Sequence, residues 1–585
     1  MCYTNNGDGI VKKKKKKLRV GRILVALVVL GLIIFGLIKL GSGLFDKAKE
    51  IIDRGKDAYL SSLEYEVQLY NMDYTESIRL VRGTTVKLYE KEVEQKDEAG
   101  TLLNTYRKIK YEDKEYLLFN DYVTFNVYDI IKEKEMYVRT PLVIYESADD
   151  IKILSYAKKG DKLDIVGYDK LNSDGSVNMY KVKYNEVEGY VYSKYVLQSE
   201  EEAKVYYDHN GTYATHVKRG NRFGGGNASK LDYYPYEKGN FEDNVMPSEV
   251  RSLYLNSGVL NNLDAYINLA KESNINAFVV DIKENTAPAY PAKAMETYSK
   301  TNYDKAINSY DNYKAAIQKL KDNGFYVIGR IVVFKDSYYI TDHPEDAISS
   351  KSTGSPYKLS GSYWPSAYSR GVWEFNVALA KEAVLEMGFN EIQFDYVRFP
   401  DRIGSIESSL DMKNKYGEDK AQALQGFLMY ACDEIHKVGA YVSVDVFGES
   451  ANSYVAAYGQ YWSSISNIVD VISGMPYPDH FAKGEYGLDV PWEYPYQLLK
   501  AWGSSVMKRQ AEAPTPAIVR TWIQTYNAIY SPHIIYDSNK ISEQIRGLYD
   551  AGLTGGYMTW NGTSSLAKYK EVSSAFKRSY INENN

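Results

Sequence analysis

Cysteine is nearly absent from this chain. Cys2 and Cys432 are the only two in 585 residues, which excludes a disulfide framework. They also lie on opposite sides of the one long apolar run, so no bridge between them is expected. Histidine is scarce too. His209, His216, His343, His436, His480 and His533 are the full set, and none falls in an H-x-x-x-H or Cys/His spacing, so no metal site is expected. Asp208-His209 and Asp479-His480 lie in polar or turn-like stretches and read as surface histidines. There is no excess of positive charge. A net charge of −5 gives no reason to expect nucleic acid as a partner. No Gly-x-Gly-x-x-Gly follows the first strand of the C-terminal half, which argues against a dinucleotide fold. Gly224-Gly-Gly226 has neither a preceding strand nor a following Gly-Lys-Ser/Thr, so it reads as flexible linker and not as a phosphate loop. No cofactor is implied.

What the chain does have begins with charge. Lys12 to Lys17 is an unbroken run of six lysines, followed by Arg19 and Arg22. Residues 23–38 are uncharged and almost wholly apolar, and 40–44 extend them past Lys39, which can snorkel to the interface. This predicts a single transmembrane helix over 23–44. The preceding positive charge predicts a cytoplasmic tail (1–22) and an extracellular remainder. A cleaved signal peptide is the competing reading, but the basic region is long and no A-x-A site follows.

Residues 45–76 carry mixed charge, with helical spacing to about residue 70, and suit a stalk. From Ser77 the pattern becomes short alternating β runs. Residues 108–123 can be laid on 181–196, and 81–90 on 138–146 with one gap, which predicts a repeated small β unit. The second copy (136–198) resembles a bacterial SH3-like domain through Tyr137-Val-Arg-Thr, Lys159-Gly-Asp-Lys-Leu and Gly189-Tyr-Val-Tyr-Ser-Lys-Tyr-Val. The first (77–130) has Tyr116 in the region of that glycine and reads as a degenerate copy. The resemblance implies binding to cell-wall peptide or glycan; a plain spacer is the other reading. A polar connector follows at 199–246.

Residues 247–577 alternate buried-looking strands with amphipathic runs. Strands are expected at 250–255, 277–283, 326–334, 391–399, 441–448, 470–478, 517–526 and 556–560, with helical runs such as 261–273, 303–323, 372–387 and 420–438. Eight such units predict a (β/α)8 TIM barrel, making the whole an α/β protein preceded by small all-β modules and one membrane helix. The most informative stretch is Glu391-Ile-Gln-Phe-Asp-Tyr-Val-Arg-Phe-Pro400. It places Asp395 and Arg398 in an otherwise apolar strand that the proline is expected to end, and buried charge is costly unless paired or used. Period-two alternation puts Asp281 and Lys283 on one face of the second strand. Arg330 is the charge of the third, and Ser443, Asp445 and Phe447 share a face of the fifth, with Glu449 beyond it. The seventh offers Arg520, Trp522 and Gln524, and the eighth ends at Trp560. All seven tryptophans lie in this half. Acids at the C-terminal strand ends of a parallel barrel suit glycoside hydrolysis, in which one carboxyl protonates the leaving oxygen and the other acts ionised. The expected catalytic residues are Asp395 with Asp445 or Glu449. Asp281, Lys283, Arg330 and Arg398 would hold the site, and Trp522, Gln524 and Trp560 would face substrate.

Arg251-Ser-Leu-Tyr-Leu-Asn, Asn276-Ala-Phe-Val-Val-Asp-Ile-Lys, Glu391–Pro400 and Val444-Asp-Val-Phe-Gly448 together resemble the bacterial putative glycoside hydrolase domain of the DUF4015 family. The resemblance runs through the whole barrel half. It implies a TIM barrel related to amylase-type glycosidases, acting on a polysaccharide or cell-wall glycan. The sequence departs from the amylase-type pattern, because Gln393 stands where an arginine is expected and the seventh strand has no acid. A glycan-binding envelope protein without catalysis is therefore the rival. The predicted discriminator is whether Asp395 faces a second carboxyl across an open gap or an arginine fills it. Neighbouring strands lie about 4.8 Å apart, which favours the close carboxyl spacing of a retaining enzyme for Asp395 with a fifth-strand partner.

Overall fold

The computed structural model describes residues 55–580 and six isolated positions nearer the N-terminus. The expected tail, most of the span over 23–44 and residues 45–54 lie outside the described residues. Among those described, no helix is long and apolar enough to cross a membrane. The chain divides into two compact units at residues 133 and 134, with 170–178 grouped with the first.

Each N-terminal module is a seven-stranded antiparallel sheet. The first contains Lys56–Leu60, Glu66–Tyr70, Ser77–Val81, Thr85–Lys96, Leu102–Tyr111, Lys114–Phe119 and Val123–Thr124. The second contains Glu135–Val138, Leu142–Tyr145, Ile153–Ala157, Lys162–Tyr168, Met179–Tyr184, Val187–Tyr192 and Val196–Leu197. Numbered within each module, the spatial order is 3-2-6-5-4-1-7 in both. The repeat is therefore real, but its start needs correcting. Residues 56–70, expected as part of a helical stalk, are the first two strands of the first copy. Ala58, Leu60, Val67 and Leu69 are buried at alternate positions, which is the period of a strand and not of a helix. The match of 81–90 to 138–146 set a third and fourth strand on a first and second. The match of 108–123 to 181–196 aligns like with like. At Gly189 a Cβ would lie 2.4 Å from the Tyr145 carbonyl oxygen, so glycine there permits the close approach of the neighbouring strand.

The barrel strands are β1 (Val250–Leu255), β2 (Ala277–Glu284), β3 (Tyr326–Val332), β4 (Glu391–Asp395), β5 (Tyr441–Phe447), β6 (Val471–Met475), β7 (Ile518–Val519 and Thr521–Gln524) and β8 (Gly556–Trp560). Neighbours are parallel in chain order. β7 is split at Arg520, and its halves pair with β6 and β8. The split strand thus brings the two ends of the eight-stranded sheet together. The helices that follow the strands are α1 (Leu263–Glu272), α2 (Tyr310–Asp322), α3 (Arg370–Glu382), α4 (Lys420–His436), α5 (Trp462–Ser466), α6 (Pro495–Gln510), α7 (Ser538–Asp550) and α8 (Leu566–Phe576). Their starts are chemically marked. Asp419 and Gln422 form a capping box on α4, and Ser309, Asp537 and Ser565 each accept a backbone N–H at the start of α2, α7 and α8.

Inward positions of the strands fill the barrel with Val250, Val279, Tyr326, Ile328, Tyr441, Trp522 and Met558. Toward the N-terminal ends, Glu391 and Arg520 form a fully buried ion pair at 2.8 Å, with the Tyr326 hydroxyl donating to the same carboxylate. Arg520 is thus spent on closing the barrel floor. One strand is shorter than expected. β4 ends at Asp395 and not near Pro400, because Tyr396 turns into the left-handed region at φ 55°, where a strand cannot continue.

Residues 199–246 do not form an open linker. Ala228, Leu231 and Tyr233 pack on Ala421, Val455 and Tyr461. Arg219 binds Glu512 in bidentate fashion at 2.6 and 2.8 Å, and the Lys238 ammonium donates to the carbonyls of Ser466, Asn467 and Val469. Gly225 touches the backbone so closely that a Cβ would sit 1.8 Å from the Ala456 oxygen. Gly225 and Gly226, part of a run that the sequence reads as flexible linker, instead let a strap lie flush on the barrel.

Candidate active site

Alternation on β2, β3, β4 and β5 brings Asp281, Arg330, Asp395 and Asp445 inward at the C-terminal mouth. Arg330 is the hub. Its Nη1 donates to Asp281 Oδ1 at 2.8 Å and to Glu284 Oε2 at 2.9 Å, while Nε and Nη2 both reach Asp395 Oδ2, at 3.1 and 2.6 Å. Asp395 Oδ1 accepts the Tyr396 N–H at 2.6 Å, an arrangement made by the same left-handed turn that ends β4. The Tyr254 hydroxyl donates to Asp281 Oδ2 at 2.5 Å. Asp445 Oδ1 accepts the Trp522 indole N–H at 2.7 Å, and its other oxygen is buried without a hydrogen-bond partner. Pairing of Phe394 with Val444 puts Asp395 and Asp445 on the next rung of adjacent strands.

The electrostatics separate the acids. Burial pushes the Asp445 carboxyl well above the usual carboxylate range, and the neighbouring Asp395 charge adds to this, while Arg330 and the Trp522 hydrogen bond oppose it. Burial likewise raises Asp281, to about 6, against the pull of Arg330 and with a push from Glu284. Desolvation also works against the Glu284 carboxylate, but Arg330 and the Asn285 N–H outweigh it and leave that acid lowered. Arg330 therefore fills the gap between Asp281 and Asp395, so those two do not form an open dyad. Asp395 and Asp445 remain a pair in which one oxygen of the second has no partner.

Several expected site residues lie elsewhere. Lys283 does not share a face with Asp281, because β2 bulges between Asp281 and Lys283 and the alternation is reset. Lys283 instead pairs with Asp336 at 2.8 Å, fully buried and outside the acid cluster. Glu284, which was not among the expected site residues, takes the position at the mouth. Arg398, freed from the strand by the turn at Tyr396, binds the Phe399 carbonyl and Asp401 and stacks over Phe447 at 4.4 Å. The Gln524 amide accepts the Asp479 N–H and donates to the Tyr526 carbonyl, so it ties loops together. Glu449 is exposed and accepts the hydroxyls of Tyr454 and Tyr458 on a neighbouring cavity wall. Asp479, beside His480, is buried and holds the Tyr526 hydroxyl and Ile529 N–H, while the His480 side chain is half exposed. Trp560 is half-buried at the mouth, against Tyr254 at 4.7 Å and Arg330 at 5.5 Å. Tyr254 was open to the same alternation argument as Asp281; nothing in the sequence marked the turn at Tyr396.

Together, the parallel barrel and the acid cluster at the C-terminal ends of its strands define a barrel with a carboxylate-lined mouth. Residues 252–566 match DUF4015, described as a putative glycosyl hydrolase domain. The match spans more than half the chain, and the chain belongs to that family. No curated protein matches. Among solved structures, the chain is similar to a hypothetical protein from Ruminiclostridium thermocellum, with 31% identity, 33% of this chain and 97% of that one covered, and a TM-score of 0.29. It is also similar to the chitobiase of Flavobacterium johnsoniae, with 10% identity over 56% of this chain and 47% of that one at a TM-score of 0.38. A maltogenic α-amylase from Thermotoga neapolitana gives 10% identity over 54% of this chain and 68% of that one, at a TM-score of 0.35.

Proposed function

We propose that this protein hydrolyses glycosidic bonds of a cell-surface or environmental polysaccharide, with Asp395 and Asp445 as its two carboxyl groups. The observation that carries this is the Asp445 carboxyl, buried beside Asp395, driven toward its neutral form, with one oxygen free of partners. A protonated acid in that state can give its proton to a leaving oxygen. Asp395 is the anionic partner. Its oxygens offer about four lone-pair directions, and three are taken by Arg330 and Tyr396.

Placement at one level of neighbouring strands, which lie about 4.8 Å apart, favours retention. Asp395 would form a bond to the anomeric carbon as Asp445 protonates the departing oxygen. Water, giving its proton to Asp445, would then displace Asp395. Arg330 holds Asp395 in place, with Asp281 and Glu284 balancing its charge, and Trp560 offers an aromatic face at the mouth. The N-terminal run predicts a single-pass anchor with the barrel outside the cell, and the repeated sheets fit SH3-like modules that bind wall or space the barrel from it.

The test is reducing-sugar release from wall glycan and common polysaccharides by the parent, Asp395→Asn and Asp445→Asn, with the product anomer followed by NMR. Release lost in both variants supports the dyad, and initial product of retained configuration supports the two-step route. Retention of the parent on an insoluble glycan without any release would favour the binding-protein reading, which the engagement of Asp395 by Arg330 and the absence of a seventh-strand acid also suit.

A further inference from the structure

Beside the acid pair lies a cavity of about 1330 Å³. It begins where β5 and β6 leave the barrel. Phe447, two residues beyond Asp445, and Met475, the last residue of β6, are both in its wall. It then runs under the loops after β5, β6 and β7. Cavities that enclose one drug-sized ligand measure about 300–1,000 Å³, so this one is too large for a single sugar unit.

Its lining is aromatic and acidic. Phe447, Tyr454, Phe481, Tyr486 and Tyr530 border it, none of them fully buried, and Tyr486 and Tyr530 are 37% and 55% exposed. Tyr486 is held at φ 52° between Gly484 and Gly487, a strained backbone for a bulky residue and of the kind found where a ligand is clamped. In the wall Asp401, Glu449, Asp479 and Glu485 meet Arg402 and Lys483, with Arg398 on Asp401 and His480 against the buried Asp479, which leaves a small surplus of carboxylate. The adjoining mouth adds three carboxyls on the single guanidinium of Arg330. This surplus of carboxylate disfavours a polyanionic chain.

We infer that this cavity is an extended subsite that holds several consecutive units of an uncharged or amino-bearing glycan, on one side of the bond to be cleaved. The inference rests on the proposed hydrolysis only for the position of that bond. Flat rings accept the apolar faces of pyranose units, and the surplus carboxylates favour hydroxyl donors or ammonium groups over uronates and phosphates.

The test uses the full-length protein carrying Asp395→Asn, so that nothing is cleaved. It is titrated calorimetrically with dimers and pentamers of α-1,4- and β-1,4-linked glucose, β-1,4-linked N-acetylglucosamine and glucosamine, with a galacturonate pentamer as the anionic probe. The expected result is one uncharged or amino-bearing pentamer binding about tenfold or more tightly than its dimer, with the galacturonate weakest. Tyr486→Ala and Tyr530→Ala should each remove most of that difference. Binding that ignores length, ignores both tyrosines, favours the galacturonate or fails for every probe overturns the inference. The parent separates the two ideas. Tight pentamer binding without release of reducing ends would sink the hydrolase and leave the subsite standing. Equal cleavage of short and long chains, unaffected by either tyrosine variant, would do the reverse.

Discussion

Asp445 carries an unrelieved cost in the barrel mouth. Its carboxyl is 1% exposed, one oxygen is unpartnered, and the Asp395 charge stands on the next strand. Asp445→Asn keeps the bond from Trp522 and removes an acid that is disfavoured as an ion. Thermal denaturation should therefore show the variant more stable than the parent at neutral pH, with the gain shrinking as the pH falls toward 4. Hydrolysis should drop by about 10²–10⁴-fold, the usual worth of a positioned acid. Asp281 gives a window that can be stated. Its folded-state value is raised to about 6, so between about 4 and 6 the folded chain binds more protons than the unfolded one. Its contribution to stability accordingly falls as the pH rises through that window, by roughly 3 kcal/mol in all. Chemical denaturation at pH 4 and pH 7 should show the parent losing ground to Asp281→Asn over this range; a constant offset between the two would contradict it.

At the scale of elements, the bulge in β2 decides which charge enters the site. Lys283 and Asp336 are both fully buried and bonded to each other, with Asn302 on the same carboxylate. Lys283→Met leaves Asp336 unpaired in the interior and should destabilise the protein by about 3–5 kcal/mol. The molecules that remain folded should keep the parent's turnover, because Lys283 does not reach the acids. A turnover loss greater than the loss of folded protein would return Lys283 to the site. Helix α4 makes a related point. Its polar side is covered, since Asp433 accepts from Lys194 and Tyr195 of the second module and Tyr430 donates to the Ile151 carbonyl. Amphipathic spacing located the helix. It did not say that a second surface would be laid over its polar side.

For the molecule as a whole, the strap at 199–246 makes the barrel dependent on chain that precedes it. A chain starting at residue 247 would expose Ala421, Val455 and Tyr461 and leave Glu512 without Arg219. It should unfold at lower denaturant than one starting at residue 134, or fail to fold. Equal midpoints for the two would show the strap to be dispensable.

The eight strands and their order could be read from the sequence because parallel barrel strands are buried on both faces and stand out as apolar runs. Asp395 and Arg330 could be read for the same reason, as charges in places that exclude charge unless it is paired. The internal repeat was visible in its last three strands, where the spacing of the two copies agrees, and was misplaced at its start, where a short match lacked that constraint. What the tertiary structure decided were the departures from period. A bulge put Glu284 where Lys283 was expected, and one left-handed residue, Tyr396, ended β4 and turned Arg398 away. Three-dimensional packing also brought Trp522 onto Asp445 and gave Arg520 to Glu391. Sequence alone reports what each strand can bury. Which oxygen of which acid is left without a partner depends on contacts between strands far apart in the chain, and only the closed barrel fixes those.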